Sequence, residues 1–532
     1  MEQLLILLII CIFLLVNYLQ IKISAAGSDH YAHLSIIRAI KDNHHFFITQ
    51  YPQIIGEQYM AYPQFYHWLL SFFPQEVVKD KYWIFSFIIN LLQISFFLIF
   101  SYSIYPSLSL DIPRQTFISI SSLVFIFTPF SFAVWNAKNV GISARGFGLL
   151  LGQLYLYSIL WFYLFGNVTF LVISFIFVFL ILLSSQFAMQ YVILSSPFLA
   201  IFFQNISIVI SPVLAFLFFY LFMPTICINF VKGQFGHKYL YFKYLAKVFI
   251  LKARYSIWRD FVYDLWVKLR TNFKRGLIYV YDNPLVSITL GIPFIPAFLI
   301  ILALNEDTRV LFFQNACMHG LALSVLVCLV VFLLTSFRKT RFLGEPERYV
   351  EFCIPQVAIL SVVIFVHNSY LFFAVLGLCI LLVIAQLSLS YYNKNRGKSG
   401  YEGVVIKEMI KKIEEYENTE CSSKRIFSNN IEFGKYILGQ HEQFAILKPL
   451  LTSFYTGSFH FKEIFPFDYT YVAHRAILPL AEEFKIDWLI YDTNANPATN
   501  NMEETFEGMR EIFQIKNYKI YKLCSKTSPN PS

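Results

Sequence analysis

Residues 83–103 read WIFSFIINLLQISFFLIFSYS, a stretch without a charged side chain. A helix of about 20 apolar residues crosses the roughly 30 Å hydrocarbon core of a bilayer, so this stretch predicts a transmembrane helix. Comparable apolar runs lie at 4–21, 117–134, 147–165, 170–183, 191–203, 206–221, 288–304, 321–337, 354–366 and 371–389. The sequence therefore predicts about eleven crossings, of which residues 170–221 hold two or three.

Composition agrees with a membrane location. Of the 532 residues, 57% are hydrophobic and only 14% are charged, whereas about a quarter of the residues in soluble proteins are charged. The mean hydropathy is +0.57. The run at 4–21 lacks the basic segment that precedes a signal peptide, which favours a retained anchor. We therefore expect an integral multi-pass membrane protein.

Two regions differ in their patterns. Residues 1–391 are predicted to form an all-α polytopic membrane domain, with a long first loop at 24–80 that is typical of short amphipathic helices at the interface. Residues 392–532 alternate helical and strand-like patterns, which predicts a small soluble α/β domain with a partly parallel sheet. In this domain we expect helices at 404–417, 471–484 and 502–513, and strands at 425–428, 488–491 and 519–523.

Positive charge is concentrated in one segment. The formal net charge is +9, and residues 231–283 alone hold 11 basic and 3 acidic residues. A basic, aromatic-rich segment beside apolar helices indicates contact with membrane lipids rather than nucleic acid. The positive-inside rule would make this segment cytoplasmic. Seven apolar runs precede it, however, whereas an N-terminus on the same side would require an even number. The orientation is left open.

The start of the first loop offers candidate catalytic residues. Residues 27–33 read GSDHYAH, and Asp29 and His33, four apart, would share one face of a helix. Asp29 could act as a general base toward an acceptor hydroxyl, or with His33 hold a divalent metal such as Mg or Mn. Glu57, further along the loop, is a second candidate acid. From composition alone, capping of a helix that begins at His30 is the favoured role of Asp29.

Two polar segments inside the apolar region are candidate substrate sites. Arg145 stands at the mouth of a helix, where it could bind a phosphate bidentately, although snorkelling to lipid headgroups explains it equally well. Residues 338–349 read RKTRFLGEPERY. In this cluster Arg341, Glu345 and Arg348 suit an anionic lipid-linked substrate, and an ordinary loop with internal ion pairs is the alternative.

Three further features are less specific. The polar groups of Ser184–Gln186 and Gln190 interrupt an apolar stretch and should face the bundle interior, either for helix–helix hydrogen bonds or for substrate. Asp492 ends a predicted strand, where a ligand could bind, but no glycine-rich phosphate loop accompanies it. The eight cysteines have no CxxC spacing, which argues against a metal cluster or disulfide framework. Cys421 and Cys524 could pair in an oxidising compartment.

On these residues the chain resembles the GT-C superfamily of membrane glycosyltransferases, which includes protein O-mannosyltransferases, aminoarabinose transferases and the catalytic subunits of oligosaccharyltransferases. The features that carry the resemblance are Asp29 in the first loop, the SARGFGLL run at 143–150, the FLGEPERY run at 342–349 and a soluble domain after the last crossing. The resemblance covers the whole chain loosely.

The resemblance implies that a sugar moves from a polyprenyl-phosphate-linked donor to a lipid, glycan or protein acceptor at the extracytoplasmic face, with inversion. It implies that Asp29 is the base or a metal-organising carboxylate, that Arg145, Arg341 and Arg348 bind phosphate, and that the protein lies in the cell (inner) membrane of a prokaryote. Many members have paired acids in the first loop, whereas His30 follows Asp29 here. That departure leaves the second carboxylate and the metal open.

A transporter or flippase of lipid-linked saccharides and a polysaccharide polymerase are the alternatives. Transporters usually show inverted repeats and helices broken near the midplane, and no internal repeat is evident in this sequence. A polymerase would have its large outer loop late in the chain, whereas the long loop here follows the first apolar run. Both features favour the transferase.

Overall fold

The structure is a computed structural model. It describes residues 2–23, 28–51, 53–55, 59–132, 141–243, 259–273, 276, 280, 283–337, 339–343, 345–395, 398–417, 424–428, 434, 436–437, 444–447, 484–493 and 509–523. The chain divides into two compact units. The first consists of Met1–Ala25, Lys81–Pro224 and Phe249–Asn395, and the second of Ala26–Asp80, Thr225–Val248 and Arg396–Ser532.

Helices dominate the described residues. In chain order the α-helices are α1 (Glu2–Ile23), α2 (Ser28–Asp42), α3 (Phe65–Ser71), α4 (Gln75–Asp80), α5 (Tyr82–Ile104), α6 (Arg114–Ile126), α7 (Ala144–Phe165), α8 (Thr169–Ser184), α9 (Gln186–Phe202), α10 (Ser207–Phe222), α11 (Pro224–Lys243), α12 (Arg259–Thr271), α13 (Pro284–Gly291), α14 (Phe294–Leu304), α15 (Glu306–Gln314), α16 (Ala316–Thr335), α17 (Ile354–His367), α18 (Ser369–Asn395) and α19 (Lys398–Glu417). Short 3-10 helices lie at Tyr105–Ser107, Pro129–Phe132, Arg341–Leu343 and Pro346–Cys353.

Nine of the eleven predicted apolar runs lie almost wholly within a single helix, whereas the run at 288–304 is divided between α13 and α14 and the run at 117–134 continues past the end of α6 at Ile126. Within the described residues, six helical stretches are long and apolar enough to cross a membrane, namely Gln3–Ile23, Tyr82–Ser107, Ala144–Phe165, Ala316–Thr335, Pro346–His367 and Ser369–Tyr392. The pair α13–α14, bent by 81°, would make a seventh span. The apolar helices α6, α8, α9 and α10 are shorter. The prediction of a helical, multi-pass integral membrane domain is confirmed.

Ring stacking and hydroxyl contacts join the helices of the first unit. Phe125 of α6 stacks on Phe97 of α5 with ring centroids 4.4 Å apart, and on Phe13 of α1 at 5.7 Å. Such pairs add about 0.5–1.5 kcal/mol beyond the area they bury. Between α8 and α10, the Ser174 hydroxyl donates to the Ser211 Oγ at 2.9 Å. Small hydroxyl residues of this kind let apolar helices approach closely and satisfy each other's polar atoms.

The second unit contains a mixed sheet. Its strands are β1 (Ile54–Ile55), β2 (Lys424–Ser428), β3 (Phe444–Leu447), β4 (Trp488–Asp492), β5 (Met509–Ile515) and β6 (Tyr518–Leu523). The spatial order is β1-β3-β2-β4-β6-β5. The first four strands in that order are parallel, and β6 and β5 form an antiparallel hairpin on the β4 side. Because β1 comes from the first loop, this loop contributes an edge strand to the sheet.

A shared core stabilises the sheet and its helices. Val405, Met409 and Ile413 recur at every fourth position of α19 and are almost fully buried, as expected for the core-facing stripe of an amphipathic helix. Trp488 at the start of β4 is fully buried in the same core. The edge of the Tyr416 ring meets Trp488 at 5.7 Å. The apolar residues of α2 and of the first loop belong to this core as well.

The predicted α/β class of this region is confirmed, with one element wrong. Strands were expected at 425–428, 488–491 and 519–523, and β2, β4 and β6 occupy these positions. The helix expected at 502–513 is wrong in its last part, because β5 begins at Met509 and pairs along its length with β6. Pairing within this hairpin overrides the helical pattern of residues 509–513. The helix expected at 471–484 lies almost wholly outside the described residues.

Candidate functional site

The first polar feature of the membrane unit is the start of α7. Ser143 is extended and caps the helix, because its Oγ accepts a hydrogen bond from the Arg145 backbone N–H at 3.2 Å. Arg145 is half-buried in the first turn. The first turn of a helix carries partial positive charge and backbone N–H groups. Together with a guanidinium it forms an environment that favours an anion.

Two glycines bring α7 close to its neighbours. A Cβ at Gly148 would lie 2.3 Å from the Ser185 Oγ, at the start of α9, and one at Gly152 would lie 2.3 Å from the Phe352 ring. At Gly146, by contrast, a Cβ would meet nothing within 4 Å. Of the two glycines beside Arg145, only Gly148 is therefore required for close packing.

The second polar feature is the 3-10 helix Pro346–Cys353 and the residue before it. Arg348 and Glu345 form an ion pair, with side chains only 14% and 17% exposed. The Tyr349 hydroxyl lies within donating distance of two oxygens, the Leu343 carbonyl at 2.5 Å and the Gln190 Oε1 of α9 at 3.2 Å. Phe352 stacks on Tyr191 of α9 with ring centroids 3.9 Å apart. These contacts fix the 3-10 helix against α9.

These contacts bring polar residues from three distant segments to one region, which we call the polar junction. It is defined by Arg145, Ser185, Gln190, Glu345, Arg348 and Tyr349. The sequence singled out the segments around Arg145, Gln190 and Arg348 separately, and the structure packs α7 against both α9 and the 3-10 helix. Two guanidiniums, those of Arg145 and Arg348, lie here in an apolar unit, together with the Glu345 carboxylate and the buried carboxylates of Glu347 and Glu351 on the same 3-10 helix as Arg348. Arg341 lies in a 3-10 helix, and its side chain is outside the described part of the chain.

A second cluster lies in the other unit, on α2 and α3. The Nδ1 of His33 and the Nε2 of His67 are 2.8 Å apart, so one ring nitrogen donates to the other. Both side chains are buried, and His67 is fully so. The Tyr62 ring contacts both imidazoles edge-on, with centroids at 5.6 Å. The histidine pair joins two helices that the sequence places more than thirty residues apart.

Burial keeps the imidazoles of His67 and of His30, which also lies on α2, neutral. Desolvation, with the neighbouring His33, lowers the pKa of His67 well below its ordinary value of 6.5. Desolvation, followed by smaller electrostatic contributions from His33 and Lys79, lowers the pKa of His30 to about 4. A buried cation without compensation costs more than its neutral form. At neutral pH His67 therefore holds a single ring proton, and it can exchange a hydrogen bond with His33 in either direction.

Of the predicted catalytic residues, the structure describes His33 in full, the backbone of Asp29, and no part of Glu57. Asp29 is the second residue of α2, so the helix begins at Ser28 and not at His30 as expected. Asp29 and His33 lie four apart on one helix, as predicted, while the Asp29 side chain and all of Glu57 fall outside what the structure describes. Among the described residues, no three His, Cys, Asp or Glu side chains are grouped to hold a metal. The roles of all these residues remain predictions.

His67 and Gly152 are the site residues that sequence reasoning did not assign. His67 lies in the segment FYHWLLS, where a single His among apolar residues signals a buried, hydrogen-bonded imidazole. The partner of that imidazole, His33, could not be identified by spacing. The sequence around Gly152 gives no indication that a glycine is required there. The requirement arises from the Phe352 ring, two hundred residues later in the chain, which a Cβ at position 152 would collide with.

Fold and polar junction together define a multi-pass integral membrane protein with a largely buried group of charged and polar residues inside its helical unit. No protein family and no curated protein sequence matches the chain. Among solved structures, the chain is similar to the crystal structure of ArnT from Cupriavidus metallidurans bound to undecaprenyl phosphate, over 98% of each chain, with a TM-score of 0.44 and 10% identity. ArnT is an aminoarabinose transferase of the GT-C family. At this distance the likeness transfers neither an activity nor a residue role to this chain.

Proposed function

We propose that this protein is a membrane glycosyltransferase that moves a sugar from a polyprenyl-phosphate-linked donor to a lipid, glycan or protein acceptor at the extracytoplasmic face of a prokaryotic inner membrane. The observation that carries the proposal is the polar junction. Arg145 and Arg348 are half-buried in a unit of apolar helices. Charged residues at such positions are costly and are usually functional.

The proposed substrate fits this setting chemically. A polyprenyl-phosphate sugar keeps its chain among apolar helices and its phosphate at a cationic helix end. In the transfer step the acceptor hydroxyl oxygen bonds to the anomeric carbon, and the bond from that carbon to the phosphate oxygen breaks. Negative charge grows on the leaving phosphate, and fixed guanidiniums stabilise it more than they stabilise the donor. Arg145 is the best candidate for this role, because it lies in the first turn of α7, where the helix dipole and backbone N–H groups add to the charge of its guanidinium.

The proton of the acceptor hydroxyl needs a base, and we assign this role to Asp29 with His33 beside it on α2. His67 would then hold the His33 ring in one orientation through their 2.8 Å hydrogen bond. Attack from the face opposite the leaving phosphate inverts the anomeric carbon. A divalent metal, Mg or Mn, held by Asp29 and His33 is a separate part of the proposal, and the step above does not depend on it.

The test uses the full chain in proteoliposomes with a polyprenyl-phosphate sugar labelled in the sugar and a panel of lipid, glycan and peptide acceptors. Arg145→Ala should lower transfer about a hundredfold, as expected for one group that stabilises developing charge. Arg145→Lys should keep part of the rate, because lysine supplies the charge without the bidentate fork. Arg114→Ala is the matched control, since Arg114 also begins an apolar helix but stacks on Tyr102.

The base is tested in the same assay. Asp29→Asn should abolish transfer while membrane insertion persists, and Asp42→Asn, at the other end of α2, should leave transfer unchanged. Chelation followed by Mg or Mn addition tests the metal. Full transfer by Arg145→Ala would remove the phosphate role assigned to the junction. Movement of the labelled lipid across the bilayer without transfer would support the flippase alternative instead.

A further inference from the structure

The helix α12 differs from the apolar helices of its unit. Its 13 residues, RDFVYDLWVKLRT, combine charged and aromatic side chains. At 1.5 Å per residue the helix is about 20 Å long, shorter than the roughly 30 Å that a spanning helix must cover. It is therefore not among the candidate spans of the described residues.

One face of α12 is apolar and exposed. Val262, Tyr263, Trp266 and Val267 are 66%, 70%, 59% and 41% exposed. Their spacing of three and four residues places them along one side of the helix. On the other side, Leu265 is partly buried. Soluble proteins rarely expose such a patch without a partner.

A cation is fixed on the same face. The guanidinium carbon of Arg270 lies 4.8 Å above the centre of the Trp266 ring, one turn back along the helix. A guanidinium over an indole ring is held there by a cation–π interaction, and its planar fork keeps N–H groups available to other acceptors. This geometry suits a bidentate contact with the oxygens of a phosphate.

The surrounding charge indicates which partner covers this face. Residues 231–283 hold 11 basic and 3 acidic residues, and the bent apolar pair α13–α14 follows directly at Pro284. A basic amphipathic helix with Trp and Tyr on its apolar side, joined to a membrane segment, matches the headgroup region of an anionic leaflet. A soluble acidic protein would match the charge but not the exposed aromatic side chains.

We infer that α12 lies in the membrane interface with its Val262–Val267 face among the lipids, and that the Trp266–Arg270 pair binds the phosphate of an anionic phospholipid. The indole sits at the level where amphipathic rings are favoured, and the guanidinium reaches the phosphate from it. This inference goes beyond the proposed function and does not depend on it.

Lipid retention by the full chain tests the phosphate site. Purified protein in detergent is titrated with phosphatidylglycerol or phosphatidylcholine, and bound lipids are counted by native mass spectrometry. Wild type should retain phosphatidylglycerol in preference to phosphatidylcholine, and Arg270→Ala should weaken that retention about fivefold, as expected for one cation near an anionic surface. Arg309→Ala is the control, because this exposed arginine of α15 lies beside Glu306 and Asp307 and has no ring beneath it among the described contacts.

Fluorescence quenching tests the position of the helix. The difference between the tryptophan emission of wild type and that of Trp266→Phe gives the emission of Trp266. In nanodiscs with brominated phosphatidylcholine, this emission should be strongly quenched. Equal lipid retention by Arg270→Ala and wild type, or equal losses in Arg270→Ala and Arg309→Ala, would overturn the phosphate site. An unquenched Trp266 would overturn the interfacial placement and would favour a protein partner. Neither readout measures sugar transfer, so a failure here leaves the proposed function untouched.

Discussion

The close approach of α7 to α9 gives the sharpest test of the polar junction. Gly148→Ala places a methyl group 2.3 Å from the Ser185 Oγ and 2.4 Å from its Cβ. The hydroxyl can rotate away, but the Cβ is fixed to the backbone, so one helix must move. Gly146→Ala, half a turn away on the same helix, adds the same methyl group where nothing lies within 4 Å.

The expected difference follows from these distances. Both variants gain the same intrinsic helix preference of alanine over glycine, about 1 kcal/mol, so this term cancels between them. Overpacking a tight contact costs about 1–3 kcal/mol, and only Gly148→Ala bears that cost. Gly148→Ala should therefore be less stable than Gly146→Ala by about 1–3 kcal/mol. The polar junction should be distorted in the first variant alone.

Thermal unfolding of the detergent-purified full chain measures the difference. Ser185→Gly in the Gly148→Ala background removes the colliding atoms, while glycine is still a tolerable N-cap and costs only a few tenths of a kcal/mol. The double variant should recover most of the lost stability. If Gly148→Ala unfolds at the same temperature as Gly146→Ala, the proposed approach of α7 to α9 is wrong.

Three other predictions concern single contacts. Because the pKa of His30 is lowered to about 4 from 6.5, the folded protein binds fewer protons than the unfolded chain between these values, so stability is lost as pH falls from 6.5 toward 4. The loss is about 3 kcal/mol, and His30→Gln should remove it from the pH dependence of thermal unfolding. Tyr349→Phe removes the hydroxyl that contacts the Leu343 carbonyl oxygen and the Gln190 Oε1 and should lower stability by about 1 kcal/mol, whereas an unchanged unfolding temperature would contradict both contacts. Asn517→Ala removes the 2.6 Å hydrogen bond to the Asp492 carboxylate and should speed hydrogen exchange of β5 and β6 about tenfold in the full chain; exchange equal to wild type would show that this bond does not hold the hairpin.

The helices of the membrane unit were predictable because their signal is local. A run such as 83–103 must satisfy its backbone hydrogen bonds within itself when it enters lipid, so its composition alone indicates a helix. The strands β2, β4 and β6 were also predicted from a local signal, namely short runs of apolar and β-branched residues. β5 was assigned wrongly at residues 509–513, because its pairing with β6 outweighs the local pattern.

The candidate site was predictable as residue types and not as an arrangement. Arg145 and Arg348 stand out because charge is rare in an apolar stretch and needs a reason there. Their approach to one region depends on Gly148 and Gly152, whose role is fixed by Ser185 and Phe352. The hydrogen bond between His33 and His67 could not be predicted either, because nothing in the sequence around one histidine points to the other.

The sequence alone determined that this protein is an integral membrane protein and that residues 392–532 form an α/β domain. It also identified the charged residues that lie within apolar segments. These properties follow from hydropathy and periodicity, which act over a few turns of chain. Only the tertiary structure decided that β1 of the first loop joins the sheet beside β3, that His33 meets His67, and that Arg145 and Arg348 lie on helices that pack together. Those outcomes depend on steric fit between segments far apart in the chain, and no local pattern encodes that fit.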